Sequence, residues 1–224
     1  MDGNGRYASK KSLPTKFGHK KGIDNVKKIV NSCLDLNIKF LTIYAFSSEN
    51  WNRSKEEIDF LMNSLYNYLS KESKELIEKN IKIIISGNLL KVNKKIIDKI
   101  HEVENLSKDN NKLTLNVAFS YGSRQEIVEA SKKIAIDILN KKIMVDEIDE
   151  ILFKTYLYQP NIPDPDLLIR TGGDQRLSNF LLWQNAYTEL YFTPKFWPEF
   201  TKNDLIKAIT NFNQRERRYG SRKS

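Results

Sequence analysis

Ile38-Lys39-Phe40-Leu41-Thr42-Ile43-Tyr44-Ala45-Phe46 is the stretch on which the fold turns. It is apolar, β-branched and aromatic, so it reads as a buried strand. Downstream, Ile58, Leu61, Met62, Leu65, Tyr68 and Leu69 recur at helical spacing. A second buried strand is expected at Ile81 to Ile85, ended by Ser86-Gly87, and a helix at Val92 to Leu106. The alternation continues with a strand at Leu113 to Phe119, ended by Ser120-Tyr121-Gly122, and a helix marked by Ile127, Val128, Ile134, Ala135, Ile138 and Leu139. Short strands follow at Leu167 to Ile169 and Leu190 to Phe192, and a last helix carries Leu205, Ala208, Ile209 and Phe212. Upstream, Ile23, Val26, Val30, Cys33 and Leu34 are periodic as well. Alternating strands and helices imply an α/β fold, with a mostly parallel central sheet flanked by helices.

In such folds ligands bind beyond the carboxyl ends of the strands. Two polar clusters stand there. Ser47-Ser48-Glu49-Asn50-Trp51-Asn52-Arg53 follows the first strand, and Arg170-Thr171-Gly172-Gly173-Asp174 follows a later one.

The 224 residues, 40% hydrophobic and 29% charged, fit a soluble domain with a real core. A single cysteine, Cys33, excludes an intrachain disulfide; it reads as a small core residue and points to a reducing cytoplasm. No run approaches the ~20 apolar residues that span a membrane. The net charge of +9 fits nucleic acid, an anionic membrane, anionic small substrates or a solvated lysine surface. Lysines are dispersed, as at Lys27-Lys28, Lys94-Lys95 and Lys132-Lys133, so the placement of arginines carries more information. The basic end from Arg215 to Ser224 is expected to fray after Gly220.

Three constellations bear chemistry. In Met1-Asp2-Gly3-Asn4-Gly5-Arg6, with Gly18-His19-Lys20-Lys21-Gly22, glycines let backbone N–H groups approach an anion, and Asp2 is suited to hold Mg²⁺ against a phosphate. In Ser47 to Arg53, a capping box accounts for Ser54 with Glu57 but leaves Trp51 and Arg53 unexplained. In Arg170 to Ser178, two arginine forks flank a Gly-Gly turn and suit phosphate oxygens. Glu189 leads into an aromatic strand, which is unusual for a carboxylate unless it is paired or binds metal. Together these suggest two phosphate-bearing ligands, one metal and an apolar cleft. A P-loop, a dinucleotide fingerprint and a Cys/His zinc cluster are absent from the sequence.

The same motifs resemble, in order and over nearly the whole chain, those of cis-prenyltransferases of the undecaprenyl diphosphate synthase type. They are Asp2 to Arg6, Gly18 to Lys20, Tyr44 to Arg53, Ile169 to Gly173, Arg176 to Gln184, Glu189 to Phe192 and Arg215 to Gly220. The resemblance implies a single domain over residues 1–224, a hydrophobic tunnel for the growing product, Mg²⁺ and a homodimer. Its substrates would be an allylic diphosphate and isopentenyl diphosphate. Asp2 would bind Mg²⁺ and assist departure of the allylic diphosphate. Gly3, Asn4, Gly5, Arg6, Tyr7 and His19 would surround that diphosphate. Arg170, Arg176, Leu177 and Ser178 would take the diphosphate of isopentenyl diphosphate. Ser47, Ser48, Glu49, Trp51 and Arg53 would orient the substrates. Asn50 would sit near the proton that is lost, and Glu189 would be a further metal ligand, supplied to the same or the partner subunit.

The family also leads one to expect a buried strand ahead of Asp2, an arginine where Thr15 stands, glutamate at Asp174 and tryptophan at Tyr7. A non-catalytic family member would lack the motif aspartate and the phosphate-binding arginines, all present here. A nucleic-acid-binding protein would need a basic stripe on one face with exposed aromatics. Neither alternative matches the pattern, and no nucleic-acid partner is expected. Release of a long lipid by a cytoplasmic enzyme implies peripheral contact with the membrane.

Overall fold

The computed structural model describes residues 1–216; residues 217–224, which include the end expected to fray after Gly220, lie outside the described residues. Along the chain run α1 (Asn4–Lys10), α2 (Thr15–Asp35), β1 (Phe40–Ser47), α3 (Lys55–Lys71), α4 (Ser73–Glu78), β2 (Ile81–Ser86), α5 (Lys94–Ser107), β3 (Leu113–Tyr121), α6 (Ser123–Leu139), α7 (Glu150–Thr155), β4 (Leu167–Arg170), β5 (Glu189–Phe192) and α8 (Lys202–Asn213). Short 3-10 turns lie at Ser48–Asn52, Val145–Glu147 and Trp197–Glu199. The chain divides into two compact units. One comprises Cys33–Pro163 with Ser178–Trp183; the other comprises Met1–Ser32, Asp164–Leu177 and the chain from Gln184 on.

In the unit containing β1, β2 and β3, the three strands are parallel in the order β1-β3-β2. β3 is central because its composition demands cover on both faces: from Leu115 to Tyr121 every residue is buried. Register pairs Ile43 with Val117 and Ile83 with Leu115. One polar rung crosses the sheet, since Asn116 donates to Thr42 Oγ1 at 3.3 Å and accepts from the Ser86 hydroxyl. Buried side chains such as Leu113, Leu115 and Ile81 each contribute roughly 1.5–3 kcal/mol through removal from water. α5 starts where the Asn93 side chain accepts the Lys95 N–H, and it turns Ile96, Ile100 and Val103 inward. Ser107, at its end, accepts the Ile83 N–H of β2 at 3.0 Å. Cys33 is fully buried, and burial pushes its thiol up to about 12.

The other unit is built on a two-stranded parallel ladder that pairs Leu167 with Glu189 and Arg170 with Phe192. α8 packs on both strands, with Leu205 and Ala208 buried. Thr201 and Asp204 form a capping box at its start. α1 and α2 approach so closely that a Cβ on Gly18 would overlap the Asn4 carbonyl oxygen, which is why glycine stands there. Trp197 locks α2 in place. Its indole N–H donates to the Gly22 carbonyl at 2.7 Å, and Asn25 donates to the carbonyls of Trp197 and Phe200.

All five expected strands form, each within two residues of its expected limits. Three helices were not expected. Asn4–Lys10 was read as a glycine-rich anion-binding stretch, and Ser73–Glu78 and Glu150–Thr155, six residues each, are too short to carry a period of their own.

Candidate active site

Asp2 lies at the C-terminal end of β4, held by its backbone. The Thr171 hydroxyl donates to the Asp2 carbonyl at 2.8 Å and accepts the Asp2 N–H at 3.2 Å, and the Trp197 N–H donates to the same carbonyl at 3.0 Å. This fixes the carboxylate among arginines from two distant segments. Oδ1 accepts the Gly3 N–H at 2.7 Å and Arg6 Nη2 at 3.0 Å; Oδ2 accepts Arg170 Nη2 at 2.9 Å. Burial pushes the Asp2 carboxyl upward, but the hydrogen bonds from Arg170 and Arg6 outweigh it and hold it below the ordinary carboxylate range.

Asp174 is the second anchor. Its Oδ2 lies 3.0 Å from Arg6 Nη2, and Arg176 grips it with both fork nitrogens at 3.1 and 3.0 Å. Arg6 Nη1 donates to the Gly172 carbonyl at 2.7 Å, and Arg170 donates to the carbonyl of Arg176. Three guanidinium groups thus surround two carboxylates, leaving one positive charge in excess. Asp174 was noted in the sequence only as a shortened side chain; the structure makes it a hub.

Asn4, Gly5 and Arg6 form the first turn of α1, so their N–H groups have no carbonyl one turn earlier within the helix. Tyr7 lies on α1 under the Lys11 ammonium, 4.8 Å from its ring centre, and His19 is buried on α2. Thr15 opens α2. Leu177 ends the segment that begins at Asp164.

For a divalent cation the donor set matters. Among the described residues no three His, Cys, Asp or Glu side chains gather in one place. An all-protein cage is therefore not what these residues offer. Asp2 does supply one fixed carboxylate, and the surplus positive charge around it suits phosphate; such a set fits Mg²⁺ held by one carboxylate, water and the substrate phosphates that offset that charge. Glu189 stands apart. It is paired with Leu167, three residues before Arg170, hence ~10 Å back along the strand. Its carboxylate accepts Arg215 Nη1 at 2.8 Å. Within one chain Glu189 and Asp2 do not converge on a shared ion.

In the unit containing β1 to β3, the polar cluster after β1 folds into the 3-10 turn Ser48–Asn52, not an open loop. Asn50 Oδ1 accepts the Ser47 N–H at 3.0 Å, so what Asn50 offers a ligand is its NH₂ donor. Trp51 donates to Ser120 Oγ at 2.9 Å and packs edge-on against Phe46. Ser54 caps α3 as expected, accepting the Glu57 N–H at 3.3 Å. The return half of the box is missing because Glu57 takes Arg53 at 2.7 Å. Glu49 accepts Asn179 Nδ2 at 2.7 Å and the Ser48 hydroxyl at 3.2 Å. Ser178 is exposed, at the head of the segment Ser178–Trp183. The structure thus brings Asp2, Gly3, Arg6, Arg170 and Arg176 together in one unit, and Ser47 to Trp51 with Asn179 in the other. Thr171 and Asn179 stood inside the quoted motifs with no role of their own, and Asp174 stood there as a departure from the family's glutamate.

Comparison with known proteins agrees. The prenyltransferase family model described as undecaprenyl diphosphate synthase matches residues 1–220. An isoprenyl transferase of Clostridium tetani is 46% identical over 98% of this chain and 86% of its own length. A farnesyl-diphosphate-specific ditrans,polycis-undecaprenyl-diphosphate synthase of Vibrio parahaemolyticus is also 46% identical, over 98% and 88%. The crystal structure of lavandulyl diphosphate synthase from Lavandula x intermedia, in complex with dimethylallyl diphosphate, superposes with a TM-score of 0.96 at 39% identity, covering 99% of this chain and 95% of that one. With its motif residues in place and its whole length matched, the chain belongs to the undecaprenyl diphosphate synthase family of cis-prenyltransferases.

Proposed function

We propose that this prenyltransferase condenses isopentenyl diphosphate units, in cis, onto an allylic diphosphate, farnesyl diphosphate being the expected primer. The product is then undecaprenyl diphosphate, a precursor of the lipid carrier for cell-wall polymers. The observation that carries this reading is the cluster of Arg6, Arg170 and Arg176 around Asp2 and Asp174, with its excess positive charge.

In each turn the allylic C–O bond breaks and the diphosphate leaves with the electron pair. A carbon–carbon bond then forms to the terminal alkene carbon of isopentenyl diphosphate, the positive charge passes to its C3, and loss of a proton from the C2 methylene closes the new double bond. The chain's part is to position two anions and stabilise the leaving group. Mg²⁺, when bound, supplies charge neutralisation on the departing diphosphate. Asp2 would hold it. The first turn of α1, with Arg6, Tyr7 and His19, would receive the allylic diphosphate. Arg170 and Arg176, with Leu177 and Ser178, would receive that of isopentenyl diphosphate. Ser47, Ser48, Glu49, Trp51 and Arg53 would orient the acceptor. Asn50, an amide and a poor base, would orient the proton path through its NH₂ group.

A homodimer is favoured by apolar side chains left exposed on and after α6: Val128, Ile136, Leu139, Met144, Val145 and Ile151. Glu189 would serve as a metal ligand across that assembly. Among the described residues no helix is long and apolar enough to cross a membrane. Delivery of a long lipid would call for peripheral contact with the membrane. The half-buried apolar residues of α3, from Leu61 to Tyr68, are candidates for the wall of a product tunnel.

The test is incorporation of labelled isopentenyl diphosphate with farnesyl diphosphate and Mg²⁺, beside Asp2→Ala, with products resolved by length. Polyprenyl product that disappears in the variant and without metal supports the reading. Folded protein that makes none refutes it.

A further inference from the structure

Ser178, Asn179 and Leu181 all have left-handed backbones, with φ of 50°, 61° and 48°. Of these residue types only asparagine adopts that conformation readily. Such a segment persists only where its surroundings hold it. Here they do. The Asn179 carbonyl accepts the Ser123 N–H at 2.8 Å, its Oδ1 accepts the Arg124 N–H at 2.8 Å, and the Leu182 N–H donates to Ser123 Oγ at 2.9 Å. The remaining arm of the side chain, Nδ2, donates to Glu49 Oε1 at 2.7 Å. A Cβ on Gly122 would overlap Ser48 Oγ and come within 2.8 Å of Asn179 Nδ2, so the turn after β3 is cut back to let these groups meet.

One amide therefore ties together three segments of a single unit. They are the 3-10 turn after β1, the start of α6 after β3, and the segment headed by Ser178. β1 and β3 are neighbours in the sheet, and their carboxyl ends are where an α/β fold binds its ligand. Burial pushes the Glu49 carboxyl upward, yet the Asn179 amide leads the hydrogen bonds that bring it below the ordinary range, so the carboxylate stays charged and fixed.

We propose that Asn179 is a positioning residue for isopentenyl diphosphate. It fixes the orientation of Glu49, and with it the turn carrying Ser47, Asn50 and Trp51, while its left-handed backbone presents Ser178. This rests on the prenyltransferase reading given above.

Two substitutions separate this role from simple support of the fold. Asn179→Asp keeps a residue tolerant of the left-handed backbone and keeps the acceptor for Arg124, but sets a second carboxylate against Glu49. Asn179→Gly keeps the backbone and removes every side-chain bond. The readouts are isopentenyl diphosphate affinity by calorimetry with Mg²⁺, steady-state kinetics, and melting temperature. Loss of one charge-assisted hydrogen bond predicts affinity weaker by about tenfold in both variants near neutral pH, with the KM for the allylic primer within about twofold. In Asn179→Asp alone, affinity should recover as the solution is acidified and the two facing carboxylates come to share a proton.

Unchanged affinity in both variants, or the same pH profile in both, overturns the proposal, as does a lowered melting temperature with no split between the two substrates. If Asn179→Asp does not fold, unchanged affinity in Asn179→Gly is still enough to overturn it. Unaltered protein that condenses the substrates while the variants bind normally refutes only the role of Asn179. Unaltered protein that neither binds nor condenses them refutes the underlying function as well.

Discussion

Asp2→Asn is the substitution that tests the site most directly, because an amide has the shape of the carboxylate but not its symmetry. In the native chain Oδ1 accepts from Gly3 and Arg6, and Oδ2 accepts from Arg170. An asparagine has one acceptor and one donor end, so whichever way it turns, an NH₂ group faces another donor. The loss falls unevenly. The Arg6 side chain is 47% exposed and can rehydrate, whereas Arg170 is only 14% exposed. Losing one charge-assisted hydrogen bond at a mostly buried guanidinium costs about 2 kcal/mol. For a chain of this size that lowers the melting temperature by roughly 4–8 °C.

The chemical loss should be larger, since the variant removes the oxygen proposed to hold Mg²⁺. A fall in kcat on the order of 10²–10³ is expected, as for removal of one oxyanion-stabilising group. The assay is incorporation of labelled isopentenyl diphosphate well below the variant's melting point, with magnesium titrated. The sign of the pH effect is also fixed. The Asp2 carboxyl is depressed in the folded state, so its stabilisation is complete above about 3.9 and is lost as pH falls through the lower folded value. The stability gap between native and variant should close in that acid window. A variant with kcat within about threefold of native and the same half-saturating magnesium would refute the assignment of Asp2. An unchanged melting temperature would refute the hydrogen-bond argument.

Gly18→Ala should destabilise the chain by about 3 kcal/mol, the upper end for overpacking, because its Cβ meets the backbone carbonyl carbon of Asn4 at 2.8 Å; chemical denaturation checks this. Asp204→Asn should flatten the acid limb of stability. Burial opposes ionisation there, but Lys195 and Thr201 bring the carboxyl down to about 2, so its contribution holds above about 4 and is lost as pH falls through 2. Cys33 should resist alkylation at neutral pH in the folded chain and react at once in denaturant, since burial pushes its thiol up to about 12; mass spectrometry reads the adduct. Leu65→Trp, on the half-buried face of α3, should shorten the longest product without abolishing condensation, as resolved by chromatography of the labelled lipids.

What could be read from the sequence was what repeats with a short period. Leu113 to Phe119 gives a strand because nearly every residue in it is apolar, and the β3 that forms is buried on both faces. α1 could not be read that way. Gly5 inside the seven residues and Gly3 just before them argue against a helix, and the helix forms because α2, thinned at Gly18, lets it pack. The arginines stood out by type as candidate phosphate ligands. Their arrangement was not, since Asp2 and Arg170 are 168 positions apart and Asn179 and Glu49 are 130 apart. No local pattern encodes a partner at such a distance. Asp174 and Asn179, one lying in a loop and the other capping a helix, have the composition of ordinary turn residues.

The ion pairs at Asp2 and Asp174 also bear on how the site takes up its substrates. Three guanidinium groups held this close would repel one another, and the two carboxylates offset that repulsion while fixing the forks in place. Their hold is not uniform. Arg176 is 62% exposed and Arg6 47%, and exposed pairs of this kind are worth only ~0–1 kcal/mol. A diphosphate offers more oxygens, greater charge and the same fork geometry, so it can draw these two arginines from Asp174 at little cost. Arg170 is different. At 14% exposure, with Asp2 on one nitrogen and the Arg176 carbonyl on another, it is the fixed member. The cluster therefore holds one anchored arginine and two more loosely held ones. Under the proposed function, Asp174 would be the placeholder that incoming phosphate displaces, a physical reason for an acidic residue at the centre of such a site.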